Sequence, residues 1–253
     1  MKIAVCIKQV PTRDWQPRVD ESGSWIREQD ASWELNEPDA YALEEALRLR
    51  EKHGGEVVVV SAGPQRVTQV LREALARGAD RAIHVQGDPL ASADAFATAD
   101  ALASALKDEK VDLVLTGLQS DDQGFAQVGV VLAERLGMTH STIIMDVQID
   151  GPTLKVKREL EGGWFQWITM PLPAVLTIQS GINQLRYATL KGIMAAKKKE
   201  IRGVAAPAST PRQRIVSIYV PEKGKQTRLI AGTAAEAGKE LVRILRDEVR
   251  VIQ

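Results

Sequence analysis

The strongest constraint on this chain is the alternation, through its first 136 residues, of short β-branched runs with segments of helical period. Residues 3–7, 57–60, 81–85 and 111–116 read as strands, and 57–60 is four consecutive valines. Between and after them, 39–52, 65–77, 94–106 and 130–136 carry apolar residues at helical intervals, as in Ala40, Leu43, Ala46 and Leu47. Gly54 and Gly78 stop two of these helices. Strands alternating with helices of this length build βαβ units, so the expected fold is α/β, a doubly wound and mostly parallel sheet.

After Leu136 the pattern changes. Residues 140–149, 153–160, 164–169 and 174–178 read as strands joined by short turns such as Asp150-Gly151 and Glu161-Gly162-Gly163. Such turns favour antiparallel pairing, so these strands are expected to extend or cap the sheet. From Arg202 the composition loosens, and 203–211 reads as a linker. Beyond it, 233–249 has Ala237, Leu241, Ile244, Leu245 and Val249 on one helical face, a stripe that must dock on its own domain or on a partner. The expected division is an α/β nucleotide-binding domain over 1–202, followed by a linker and C-terminal helix over 203–253.

Lys plus Arg and Asp plus Glu both number 33, so no global field draws the chain to nucleic acid or anionic lipid. The single cysteine, Cys6, excludes an internal disulfide. Lys8 ends the N-terminal apolar run too early for a signal peptide or a membrane span, and a protein that is cytoplasmic and not membrane-embedded is expected. His53, His84 and His140 lie apart from any nucleophile motif or metal-ligand spacing. Neither a P-loop lysine motif nor Gly-x-Gly-x-x-Gly occurs. The expectation is no catalytic side chain and no metal.

The polar stretch from Gly117 to Gly129 lies between a buried strand and a helix N-terminus, where open α/β sheets bind nucleotides. Gln119, Ser120, Gln123 and Gln127 offer donors there. Asp121 and Asp122 would repel a phosphate and fit better as helix caps, or as acceptors for ribose hydroxyls or an adenine amino group. A capped helix start with no ligand is an equal reading of these residues alone. Residues 10–39 form a long stretch with Trp15, Trp25 and Trp33, suited to lining a cofactor, meeting a subunit or covering the core.

Several blocks together resemble the β subunit of electron transfer flavoproteins. They are Met1-Lys-Ile-Ala-Val-Cys-Ile-Lys-Gln-Val-Pro11, Asn36-Glu-Pro-Asp39 with the helix after it, Val60-Ser-Ala-Gly-Pro64, Ala74-Leu-Ala-Arg-Gly-Ala-Asp80, the Gly117–Gly129 loop, and Arg186-Tyr-Ala-Thr-Leu-Lys-Gly-Ile-Met-Ala-Ala-Lys-Lys-Lys-Glu-Ile201. The resemblance implies a heterodimer with an α subunit that carries most of an FAD site. It also implies a second nucleotide in this chain: AMP in many members, a second FAD in the electron-bifurcating branch.

Carried over by position, Cys6, Lys8, Asn36, Asp39 and Ala62 would border that nucleotide. Gln119, Ser120, Asp122, Gln123, Gly124, Phe125, Gln127, Val128 and Gly129 would hold its phosphate and ribose. Phe125 and Gly124 depart from both the bifurcating and the AMP-type loop, and Arg13 stands where some relatives place an aromatic residue. Tyr187, Leu190, Ile193, Met194, Lys197 and Lys198 would bind partners, Leu190 as the apolar anchor and the Lys197–Lys199 run steering acidic surfaces. The implied role is an electron carrier between acyl-CoA-type dehydrogenases and a quinone reductase, with the C-terminal helix docking on the α subunit. The alternatives are an NADH-oxidising bifurcating subunit and, more distantly, a non-redox nucleotide-binding module.

Overall fold

A computed structural model describes residues 1–221, 224 and 227–252. The chain divides into two compact units, Met1–Ile218 and Tyr219–Gln253. In chain order the first unit comprises β1 (Lys2–Cys6), β2 (Gln9–Pro11), β3 (Trp33–Leu35), α1 (Glu37–His53), β4 (Glu56–Gly63), α2 (Thr68–Arg77), β5 (Arg81–Gln86), α3 (Ala95–Leu106), β6 (Leu113–Gly117), α4 (Val128–Leu136), β7 (Thr139–Asp150), β8 (Thr153–Glu159), β9 (Phe165–Pro171), β10 (Ala174–Ile178), α5 (Leu190–Ala196) and β11 (Ile201–Ala205).

Nine strands form one sheet in the order β11-β5-β4-β1-β6-β10-β7-β8-β9. From β11 to β7 every pairing is parallel, and β8 and β9 add antiparallel strands at one end. The α/β class and the antiparallel extension are therefore as the sequence predicts. Both faces of the parallel part are covered, which is why Val57 to Val60 are all fully buried and show no alternation. Val57, Val59, Leu43, Leu47, Leu71 and Leu75 belong to the core under α1 and α2; Val58, Val60, Leu102, Leu106 and Leu132 belong to the core under α3 and α4.

One strand departs from the expected antiparallel set. β10 pairs parallel with both β6 and β7 inside the sheet rather than joining a hairpin. Its sequence, Ala-Val-Leu-Thr-Ile, is buried at every position, the signature of a strand covered on both faces. β7 serves two neighbours: its first half pairs with β10 and its second half with β8, with an irregularity near Ile143, whose φ is 60°. The presumed linker also begins later than composition suggests. Ile201–Ala205 is a strand that pairs with β5 from Ala82 to Gln86, tied down where Arg202 joins Lys2 and Arg81 around the buried Glu109 carboxylate. Hydrogen bonds, first from Arg81 and then from Lys2, hold that carboxyl down to about 2 against the cost of burial.

α1 shows how directly sequence becomes structure here. Pro38 sits in the first turn with Glu37 and Asp39, Arg50, Lys52 and His53 occupy the last turn, and Gly54 ends the helix at a φ of 73°. The stretch before it is not an open loop. β2 and β3 pair antiparallel and Val19 bridges Ile26. Trp33 lies beneath the Arg66 guanidinium at 3.6 Å, and Trp25 donates to Glu28.

The second unit contains α6 (Ala234–Arg243), which runs into a π-helical turn over Ile244–Glu248. Thr233 and Glu236 form a reciprocal capping box at its start. Leu241, Val242, Val249, Val251 and Ile252 are exposed. Among the described residues no helix is long and apolar enough to cross a membrane.

Candidate functional site

β1 is the switch point of the sheet. The chain runs outward from it through β4 and β5, then returns to β6 on its other side. Ligands of open α/β sheets bind at the carboxyl ends of strands at such a point. There the N-terminal turn of α1 is fastened across both strand ends. Asp39 accepts the N–H of Lys8, just past β1, at 2.7 Å and the N–H of Gly117, the last residue of β6, at 2.8 Å. A Cβ on Gly117 would lie 2.5 Å from the Asp39 carboxylate and 2.7 Å from Pro38, so only glycine permits this approach. Burial pushes the Asp39 carboxyl up to about 7, while the two N–H donors pull it the other way.

Asn36 fixes the next stretch. Its side chain donates to the Gln119 carbonyl at 3.0 Å and accepts the N–H of Asp121 at 2.9 Å. Asp121 in turn accepts the first N–H of α1, from Glu37, and receives Arg13, which also pairs with Glu37. Asp121 is thus a cap, but of α1 rather than of the helix it precedes. Asp122 receives the Lys8 ammonium at 2.7 Å, and Ser120 and Gln123 also contact that ammonium. At α4 itself, Gln127 supplies no side-chain cap. The first-turn N–H groups of α4 therefore remain available at the cleft.

These elements border a cleft that is open to solvent. Cys6, Lys8, Asn36, Asp39, Ala62, Gln119, Ser120, Gln123, Phe125, Gln127, Val128 and Gly129 line it together. Asp122 and Gly124, expected in the site, do not line it: Asp122 is exposed and pairs with Lys8, and Gly124 is exposed in the turn at a φ of 65°. Cys6 is buried, and desolvation first, then the nearby Asp39 carboxylate, raises its thiol far above the ordinary range, so it stays a protonated apolar wall.

Sequence reasoning missed one wall. Leu90, Ala91, Ala93, Ala95, Thr98 and Leu102 close the cleft from the turn after β5 and from the start of α3. The available signal was positional, since this turn also leaves the carboxyl edge of the sheet beside β4. None of the tryptophans lines the cleft. His84 is buried, with Nε2 sharing a 2.9 Å hydrogen bond with the Gly63 carbonyl, and it too lies outside the cleft. Among the described residues no group of three or more His, Cys, Asp or Glu could hold a metal.

The second predicted site is on the opposite face of the sheet, packed on α2. Tyr187, Leu190, Ile193 and Met194 are exposed around α5, with Leu190 79% accessible. Lys197 and Lys198 are also exposed. Lys199 is not part of that solvated run: its ammonium turns inward to the Leu75 and Ala79 carbonyls, and desolvation lowers its pKa.

A cleft at the switch point of a doubly wound sheet marks an open α/β protein with its candidate ligand site at the carboxyl ends of the strands. The electron transfer flavoprotein domain model matches residues 24–209. An electron transfer flavoprotein subunit beta from Methylophilus methylotrophus is 38% identical over 98% of this chain and 98% of its own length. One from Bacillus subtilis is 34% identical over the whole of both chains. A caffeyl-CoA reductase–Etf complex subunit, CarD, from Acetobacterium woodii is 36% identical over 98% of this chain and 99% of its own. The chain belongs to the electron transfer flavoprotein family, among its β subunits.

Proposed function

We propose that this chain pairs with an α subunit to hold FAD, keeps AMP in its own cleft, and carries electrons from acyl-CoA-type dehydrogenases toward a quinone reductase in the cytoplasm. The redox chemistry is the flavin's; this chain supplies position and surface. The observation that carries the reading is the mixed polar and apolar lining of the cleft at the sheet's switch point. Lys8, Ser120, Gln123 and the open first turn of α4 suit a phosphate, and Ala62, Leu90 and Leu102 suit a flat apolar base. Asp39 and Asn36, on the same lining, fix the loop and both strand ends rather than reacting.

The exposed apolar cluster around Leu190, ringed by Lys191, Lys197 and Lys198, supports the docking assignment. One apolar anchor in a polar rim suits a transient partner. With the αβ protein as electron acceptor of an acyl-CoA dehydrogenase, Leu190→Ala is expected to lower kcat/KM by roughly 10- to 30-fold at unchanged flavin content. Unaltered steady-state rates would remove the docking assignment. The exposed apolar residues of α6 and the segment after it are assigned to the α subunit, which would cover them.

A second reading, a bifurcating subunit with a second FAD in the cleft, draws on the likeness to the caffeyl-CoA reductase–Etf subunit. It predicts two flavins per αβ pair and bleaching by NADH.

A further inference from the structure

We propose that Arg72 and Arg186 are positioning residues that hold the segment from 186 to 199 in a docking-ready form. Partner affinity would then depend on them through order rather than contact. The inference rests on the reading of Leu190 as the anchor.

α5 has seven residues, and only Ala196 among them is buried. A helix this short does not persist on its own propensity, and one buried alanine gives it little core to adhere to. Beside the Thr189 hydroxyl, which caps its start by accepting the Gly192 N–H at 3.0 Å, polar clamps hold it at its two ends. At the entry, the Arg186 fork donates to Glu44 at 2.7 and 3.0 Å and to Glu51 at 2.6 Å, fastening the segment to α1. At the exit, Arg72 of α2 donates to the carbonyls of Ala196 and Lys199, both at 2.7 Å. The Ala196 carbonyl also accepts the Lys199 N–H at 3.2 Å, so this guanidinium pins the turn that ends the helix to α2.

Between the clamps α5 rests directly on backbone. A Cβ on Gly192 would fall 2.3 Å from the Ala76 carbonyl oxygen, so α5 approaches α2 as closely as glycine alone allows. Lys199 adds its bonds to the Leu75 and Ala79 carbonyls from below. The outer side of the same stretch presents Tyr187, Leu190, Ile193 and Met194 to solvent. A clamped backbone therefore displays exposed apolar side chains, and a partner need not spend binding energy on ordering the backbone. Arginine suits the entry because its planar fork meets two carboxylates at once, which a lysine ammonium does less well; at the exit a single Nη1 of Arg72 meets both carbonyls.

The test uses the αβ protein carrying Arg72→Ala, Arg72→Lys or Arg186→Lys, beside Leu190→Ala, with a purified acyl-CoA dehydrogenase that reduces the wild type. Amide hydrogen exchange over residues 187–199 and the KM for the αβ protein are measured, with flavin content as the check on folding. Arg72→Ala is expected to speed exchange in this segment and to raise KM about tenfold with kcat within about twofold; Arg72→Lys falls between it and the wild type. If Arg72→Ala does not fold, Arg186→Lys carries the same expectation at the entry clamp. An unchanged KM in the clamp variants while Leu190→Ala raises it overturns this inference and leaves the docking reading standing. An unchanged KM in Leu190→Ala overturns both.

Discussion

Asp39→Ala is expected to lower the stability of the αβ protein by about 3 kcal/mol and to empty the cleft. The substitution leaves the N–H groups of Lys8 and Gly117 without their acceptor in a buried place, and each such group costs about 1–3 kcal/mol. Part of that cost is offset because a desolvated carboxyl is removed. Asp39→Asn is not a rescue: its amide offers one acceptor oxygen and turns an NH2 donor toward the other N–H. The loss should appear in chemical unfolding midpoints and in the nucleotide retained after gel filtration.

The same residue sets a pH dependence. Burial raises the folded-state carboxyl from 3.8 to about 7, so over that interval the folded chain binds a proton that the unfolded chain lacks. The contribution is therefore fully present below about pH 4 and is lost as pH rises through about 7. The stability of the wild type relative to Asp39→Asn should decline across that window. A difference that is flat or that grows with pH would show that the two N–H bonds outweigh burial.

Gly129→Ala is the second large effect, and it acts from the other side of the cleft. Gly129 is the second residue of α4, and its Cβ would lie 2.5 Å from Thr177 Cγ2 and 2.8 Å from Thr116 Oγ1. Both neighbours are buried on central strands, β10 and β6, so the helix start must move. Overpacking of this kind costs about 1–3 kcal/mol. It also shifts the first-turn N–H groups of α4 that the proposed assignment gives to the phosphate, so on that assignment retained AMP should fall at least about tenfold, since small misplacements weaken oriented hydrogen bonds steeply. Retention at the wild-type level would place the phosphate elsewhere.

How much of this was legible in the sequence follows from which forces act locally. β1, α1, β4, α2, β5, α3 and β6 were readable because each holds its own period and stop signal, as Gly54 and Gly78 do. The loop ahead of α4 was readable because a polar glycine-bounded stretch after a buried strand has few other places to be. The parallel placement of β10 was not, because its neighbours in sequence are hairpin strands and its partners, β6 and the start of β7, are set by tertiary pairing. β11 was hidden by Gly203, Ala205 and Pro207, which read as linker, while the pairing that makes it a strand comes from β5.

The apolar wall from Leu90 to Leu102 was missed for a related reason. Small apolar residues carry no chemical signature until the topology sets them beside Lys8 and Ser120. Lys199 belonged by pattern to a solvated run, and only the carbonyls of α2 reveal that it is a strut. Asn36 and Asp39 were expected by resemblance to border a nucleotide; that they also fasten two strand ends and a loop follows from tertiary contacts no local pattern signals.

The most direct test is the identity and number of nucleotides held by the protein. The chain is purified with its α subunit and denatured, and released FAD and AMP are quantified by chromatography. One FAD and one AMP per αβ pair is the predicted result. Two FAD without AMP would contradict it and assign the cleft to a second flavin, and one FAD with nothing in this cleft would contradict the nucleotide assignment itself.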